Sequence, residues 1–449
     1  MNTSAESAVL HYRKMLARER TQRSAGQPAW LADIRDAAVA RFERDGFPGA
    51  RDEDWRYTSL DFLGQQVFEV VNPDGDTPPD LQDIADLTLT DTPTTRVVFV
   101  NGRFNRVLSD LTRLAPGVVV EELDEAISRD AAVIREHFTS LGRGDGAMDA
   151  FGALNTALTE GGVFVAVGDG VTVDTPIELL HVSVRTAEPR MMHPRHVVAM
   201  GAGSRATLVE RYVTVNDSHH FTNAMVHVRV GEGAVLTHER AQEESPDAYH
   251  LAAVRVEQAQ NSRYRQVTAS LGGAWARTGI RVEFEGEGAV AELDGLYLAG
   301  DRQLNDIHLD VRHEVPNCES QERFRGILDG RGRAVFDGRV FVARDAQGTN
   351  ARLSNDNLLL SRNAEVDTKP QLEIYADDVR CSHGTTVGQL DEAMIFYLRS
   401  RGIGPEEARQ MLCLGFAGES IDAFSSEALK GRVEAGLRHR LMVLPFSTN

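Results

Sequence analysis

Four short stretches set the architecture: SRATLVERY (Ser204–Tyr212), AVLTHER (Ala234–Arg240), SRYRQVT (Ser262–Thr268) and AVAELDG (Ala289–Gly295). Each alternates apolar or small residues with polar ones, the period-two signature of a strand with one buried face. Glycine-bearing turns recur beside this texture: GDG from Gly168, GAG from Gly201, GEG from Gly231, GEG from Gly286 and GRG from Gly330. The spacing is roughly 30 residues, and Ser262–Thr268 fills the one long interval. A unit of this kind covers its apolar face only with the next unit, so a stack buries a continuous core. The repeat therefore predicts a mainly β chain built on a β-solenoid, with strand after strand from about 161 to 380. A large β-sandwich with glycine turns at similar intervals is the other arrangement that fits.

Both flanks have a different periodicity. Trp30, Leu31, Ile34, Ala37, Ala38 and Phe42 stand three and four apart, one face of a helix. Gly46, Pro48 and Gly49 end it ahead of RDEDWRYT (Arg51–Thr58), and a Pro- and Asp-rich linker follows over Asn72–Asp80. After Val97–Val100 the pair Asn101–Gly102 signals a hairpin. The pattern predicts a helical region with its linker over 1–92 and a strand body over 93–385, with a helical insertion at 121–160. A C-terminal helical region follows over 386–449. In that last region Leu390, Ile395, Phe396 and Leu398 form one helix, Gly402–Pro405 a turn, and Glu406–Phe416 and Glu427–Leu441 two more helices. Helices on both sides suit a solenoid whose ends need caps.

Composition narrows the function. The 449 residues carry 48 basic and 67 acidic side chains, a net charge of −19, which is a poor footprint for nucleic acid. No apolar run reaches the ~18–20 residues of a membrane span, and the polar first twenty residues lack a signal-peptide core. The expected setting is cytoplasmic and reducing. None of the three lysines (Lys14, Lys369, Lys430) follows a glycine, so there is no P-loop and no nucleotide bound by this chain. Cys-x-x-Cys, His-Glu-x-x-His and Gly-x-Ser-x-Gly are also missing. The balance favours a non-catalytic scaffold over an enzyme. The enzyme alternative is a carbohydrate-active β-helix with Asp294, Asp306 and Asp310 lining an exposed sheet.

The densest metal-capable segment is EIYADDVRCSHGTTVGQ, Glu373–Gln389. Cys381 and His383 are two apart, so on a strand they share a face with Cα atoms roughly 6.5–7 Å apart. A thiolate and an imidazole at that separation reach one metal or one iron–sulfur cluster, but a single pair is only half a site. The structural alternative is a buried thiol and a hydrogen-bonded turn histidine. Asp377 and Asp378 lie nearby, an adjacent pair pointing to opposite faces if on a strand. His193, His196, His219, His220, His308 and His313 read as surface or satisfied core residues. Cys318 and Cys413 read as structural, Cys413 on an apolar helical face.

The segment LLLSRNAEVDTKPQLEIYADDVRCSHGTTVGQLDE (Leu358–Glu392), followed by FYLRSRGI (Phe396–Ile403), closely resembles the C-terminal signature of the SufB/SufD family. These proteins are scaffold subunits of the SUF iron–sulfur cluster assembly machinery. GRAVFDGRVFV (Gly332–Val342) and Arg51–Thr58 are similar to the family too. The SufB branch carries a Glu-His-Glu-type segment where this chain has CysSerHisGly, so the SufD branch is the better match and a SufB-like paralogue the alternative. Cys318 departs from the family, where a small hydroxyl residue is expected. The resemblance implies a right-handed parallel β-helix core between helical regions. It implies pairing with SufB through the β-helices, and docking of the SufC ATPase on the C-terminal helices. A transient iron–sulfur cluster, or iron, would be shared with SufB, with His383 as ligand and Cys381 as a second or transient one. An exposed solenoid face also allows a homodimer when SufB is absent.

Overall fold

A computed structural model describes residues 3–23, 27–70, 84, 87–89, 93–129, 132–140 and 149–443. The linker expected at Asn72–Asp80 lies outside the described residues. Nine helices are labelled here among the described residues. These are α1 (Thr3–Arg23), α2 (Ala29–Asp45), α3 (Asp61–Gln65), α4 (Leu123–Ser128), α5 (Ala132–Ser140), α6 (Ala150–Leu158), α7 (Glu392–Ser400), α8 (Pro405–Asp422) and α9 (Glu427–Val443). The strands begin with β1 (Glu69–Val70), β2 (Thr95–Val100), β3 (Arg103–Phe104), β4 (Val118–Glu122), β5 (Gly162–Val167), β6 (Ile177–Val184), β7 (Arg190–Met192) and β8 (Arg195–Met200). The middle of the body holds β9 (Arg205–Val215), β10 (His220–Val230), β11 (Val235–Glu243), β12 (Tyr249–Gln258), β13 (Arg263–Ser270), β14 (Trp275–Phe284) and β15 (Val290–Ala299). The last strands are β16 (Leu304–His313), β17 (Glu319–Leu328), β18 (Arg333–Val342), β19 (Asn350–Leu359), β20 (Glu365–Ile374) and β21 (Arg380–Gly388).

The strands alternate between two sheets. One runs β20-β18-β16-β14-β12-β10-β8-β5-β4, the other β21-β19-β17-β15-β13-β11-β9-β6-β2-β3, and from β5 and β6 onward every rung is parallel. This is a parallel β-solenoid of about eight turns, as the repeat predicts. In the second sheet Arg205 lies opposite Val235, Val235 opposite Arg263, Arg263 opposite Val290 and Val290 opposite Glu319. The four stretches that open the sequence reading are thus rungs of one ladder.

The corners explain the glycines. Gly170, Gly203, Gly233, Gly288 and Gly348 have positive φ, and in the same column Asn261 and Asn317 take the left-handed conformation at φ 56° and 59°. Asparagine tolerates that conformation better than other side-chain-bearing residues, which is why the glycine spacing skips there. The GRG turn at Gly330 corrects the repeat reading: it joins β17 to β18 at the opposite corner, half a turn out of phase. Both corners require left-handed residues, so glycine alone does not distinguish them.

Inside, the first sheet stacks Val198, Val228, Val256, Val282, Val311 and Val340 on successive rungs. The β-branched stack packs against Leu236, Tyr264, Leu293, Phe324 and Leu353 of the second sheet in one core. Outside, the N-terminal helices cover the first sheet: Tyr12, Phe42, Trp55 and Phe151 pack on Phe221, Leu251 and Trp275. Apolar residues of α8 and α9, including Cys413, Ile421, Leu429, Val433 and Leu437, cover Val209, Val267, Leu296 and Ile327 of the second sheet. Asn101 and Gly102 form the expected hairpin between β2 and β3.

The expectation of helical caps fails at the C-terminal end. The last helices turn back along the flank, where outward strand faces carry the apolar side chains that need cover, and among the described residues the final turn stays open. β21 is exposed along nearly its whole length and β20 is only half-buried.

Candidate functional site at the open end

Cys381 and His383 lie on β21, opposite Ala351 and Leu353 of β19. Ala351 and Leu353 belong to the interior core, and Cys381 packs against it, so this face of β21 looks into the solenoid. Thr385 shares that face, and its hydroxyl meets the Thr368 hydroxyl of β20 at 3.1 Å, bridging the last strands of the two sheets. The expected pair is therefore brought to one face at the mouth of the body. Cys381 is half-buried and His383 exposed. Burial raises the Cys381 thiol pKa; a backbone contact with Ala351 opposes that and the charge of Glu322 adds to it. Among the described residues no three His, Cys, Asp or Glu side chains already converge on one point.

Asp377 and Asp378 sit in the corner between β20 and β21, not on a strand. The Asp378 N–H donates to Gln347 Oε1 and its carbonyl accepts from the Gly348 N–H, so it closes a corner. Cys318 is buried against the Gly286 carbonyl at 3.5 Å. Cys413 is buried, which pushes its thiol pKa up to about 12. Both are buried, as the structural reading expects. Of the carboxylates considered for an enzyme, Asp294 faces out from the second sheet and pairs with Arg323 at 2.7 Å. Asp306 and Asp310 lie on the other sheet, held by Arg277 and Arg339. The three do not form one site.

The histidines turn inward more than the sequence suggested. His196 Nε2 meets His181 Nε2 at 3.1 Å. His238 contacts Glu210 at 2.9 Å and Tyr264 at 3.0 Å. His220 and His250 flank Glu244 at 3.0 and 2.8 Å. Burial alone would push Glu210 up; Arg240, bidentate at 3.1 Å, and His238 overcome it and hold the carboxyl well below its usual range. Glu244 is held down in the same way by His250 and His220. The middle of the solenoid thus contains a polar, ion-paired band beside the valine stack.

Sequence reasoning missed one residue. Glu322 occupies the row that runs Leu293–Glu322–Leu353–His383, facing inward and fully buried. Its signal was parity: it alternates with Ser320 and Phe324 on the apolar-facing side of β17. It also missed that Met394, Phe396 and Tyr397 of α7 are exposed, with Ile395 the buried residue of that helix.

Two family descriptions match the chain: the SufBD protein N-terminal region over residues 6–179, and the SUF system FeS cluster assembly SufBD core domain over residues 182–416. The chain belongs to the SufBD family. The iron–sulfur cluster assembly protein SufD of Escherichia coli is 35% identical over 400 residues, covering 89% of this chain and 90% of that protein. A SufBD family assembly protein of Synechocystis is 31% identical over 425 residues, covering 93% and 92%. As a SufBD family member the chain takes part in iron–sulfur cluster assembly. The two matched regions divide it close to β6, so the core description covers the solenoid turns that carry Cys381 and His383. No helix among the described residues is long and apolar enough to cross a membrane.

Proposed function

We propose that this chain is a non-catalytic, SufD-type scaffold subunit that offers Cys381 and His383 as half of a coordination shell for a nascent iron–sulfur cluster. A SufB-type partner supplies the other half. The observation that carries this reading is the last turn, which among the described residues is uncovered and holds both donors beside unpaired strand edges. An exposed edge is a template for pairing with another chain, and a partner strand added there would lie within reach of both side chains. Few protein bonds to a cluster suit a scaffold that must release it. The exposed Met394, Phe396 and Tyr397 of α7 and Met411 of α8 support a second interface, where an ATPase of the SufC type would dock. The chain's own lack of a P-loop agrees with nucleotide chemistry residing in that partner.

The test is reconstitution with SufB and SufC homologues. His383→Ala is expected to lower the rate of cluster formation at least tenfold while the three chains still co-elute. Cluster formation at the wild-type rate in that complex would overturn the shared-shell reading.

A further inference from the structure

The motif RDEDWRYT (Arg51–Thr58) has no part in the donor pair, yet it lies across the outside of the first sheet. Trp55 is buried, with its ring stacked on Phe151 of α6 at 5.3 Å and the Arg277 guanidinium of β14 over it at 3.9 Å. Three residues on, the Thr58 hydroxyl donates to Asp306 of β16. Asp306 is fully buried and also meets Arg277 and, at 2.9 Å, His308. Burial alone would raise this carboxyl; Arg277, His308 and Thr58 overcome it and hold its pKa at about 2. At the other end of the motif, Glu53 Oε1 accepts from Lys369 Nζ of β20 at 2.6 Å. Lys369 also reaches Asp337 of β18 at 3.5 Å.

The register puts these contacts in line. His308 lies opposite Asp337, and Asp337 opposite Lys369. The segment Glu53–Thr58, which begins with a 3-10 turn, thus crosses from the β16 rung to the β20 rung, a span of about 10 Å. Those are the last rungs of this sheet, and β20 borders the open end. On the inner side Thr368, next to Lys369 in sequence, meets Thr385 of β21 at 3.1 Å. One set of contacts therefore runs from α6 through Trp55, Glu53, Lys369 and Thr368 to the strand that carries Cys381 and His383.

The two ends of the motif are unequal. The Thr58–Asp306 end is buried, where removing a donor from a carboxylate is costly. The Glu53–Lys369 end is exposed, with Glu53 at 76%, where an ion pair adds little to global stability. A firm anchor with a weak clasp lets the clasp open while the anchor holds. Local opening is drawn from regions with few buried contacts, and the clasp sits on such a region: β20 is half-buried and β21 exposed.

We propose that Glu53–Thr58 is an outer strap whose clasp on Lys369 sets how often the last turn opens, and so sets access to Cys381 and His383. This rests on the reading of that pair given above, but the strap itself is judged by opening. With the clasp closed, β20 is tied to the N-terminal region as well as to β18. With it open, that outer tie is gone and the last turn frays more often.

The experiment uses the full-length chain. It follows alkylation of Cys381 by iodoacetamide through peptide mass spectrometry, together with amide hydrogen exchange of β20 and β21. Cys318 and Cys413 are buried and serve as internal references for whole-chain unfolding. Lys369→Met and Glu53→Gln are each expected to raise the Cys381 labelling rate about threefold, the scale of an exposed ion pair. The double variant should raise it no further than either alone, because both substitutions remove one contact. Thr58→Val, which cuts the anchor, should raise it more and speed exchange in β16 as well. Wild-type labelling and exchange in Lys369→Met and Glu53→Gln would overturn the strap. Equal acceleration at Cys318 and Cys413 would overturn it too, since the whole chain would then be unfolding. Neither result depends on cluster formation, so the strap and the shared shell fail separately.

Discussion

The solenoid interior has two kinds of buried carboxylate, and the contrast separates architecture from function. In the middle, Glu210 accepts from Arg240, His238 and Tyr212, and Glu244 is met by His220, His250, Thr222 and Gln242. Both carboxylates are answered, so their desolvation is offset and the network fixes one packing. Two rungs from the open end Glu322 has no such partners, and beyond it the thiol and imidazole of β21 face the mouth. The same ladder carries both. A satisfied network fixes one packing, whereas an unanswered buried carboxyl costs stability where it sits.

The comparison can be broken at its strongest point first. Glu210→Ala leaves Arg240 buried without its counter-charge and His238 without its hydrogen-bond partner, and a loss of about 3–5 kcal/mol is expected from chemical denaturation at neutral pH. A change under 1 kcal/mol would mean that the middle network contributes little to the fold.

Acid should act next. Burial lowers the His196 pKa to about 4, and lowers His181 as well, each also feeling its neighbour or the charges around it. A histidine depressed in the folded state binds protons more readily once unfolded. Its contribution is therefore present above the unfolded value near 6.5 and is lost as pH falls through the window down to about 4. For His196 this amounts to about 2 kcal/mol between pH 6.5 and 5. Replacing His196 by glutamine should flatten that part of the pH–stability profile; an unchanged slope would place the acid sensitivity elsewhere.

Glu322 gives an effect of the opposite sign. Burial pushes its pKa up to about 8, so the folded chain holds a proton that the unfolded chain releases above about 4.5. The wild type therefore loses stability as pH rises from about 4.5 to 8. Glu322→Gln removes that penalty: equal melting at pH 4 and a gain of about 4 kcal/mol by pH 8 are expected, read from paired melts across pH. A variant less stable than the wild type at pH 8 would show that Glu322 has a structural partner, like Glu210.

The repeat, the flanking helices, the Asn101–Gly102 hairpin and the Cys381–His383 pair were legible because each depends on neighbours within a few residues. Periodicity decides which side chains share a face, and left-handed corners select glycine or asparagine. Other features were not legible. GRG at Gly330 belongs to the opposite corner, because both corners impose one backbone requirement. Phe396 reads as part of an apolar helical face, yet α7 buries Ile395 and leaves Phe396 exposed. α8 and α9 lie along the second sheet and not over the last turn, a choice set by outward apolar residues such as Val267 and Leu296 that are far away in sequence.

From the sequence alone came a stacked-strand body, helices on either side and a thiol–imidazole pair near the last strand, since these follow from local chemistry and short periods. Which buried charges are answered, which end stays open and what lies beneath that pair were decided by the tertiary structure. Those outcomes depend on the register between turns, which brings together residues about 30 positions apart and turns two glutamates of like sequence context into an ion-paired strut and an unpartnered acid.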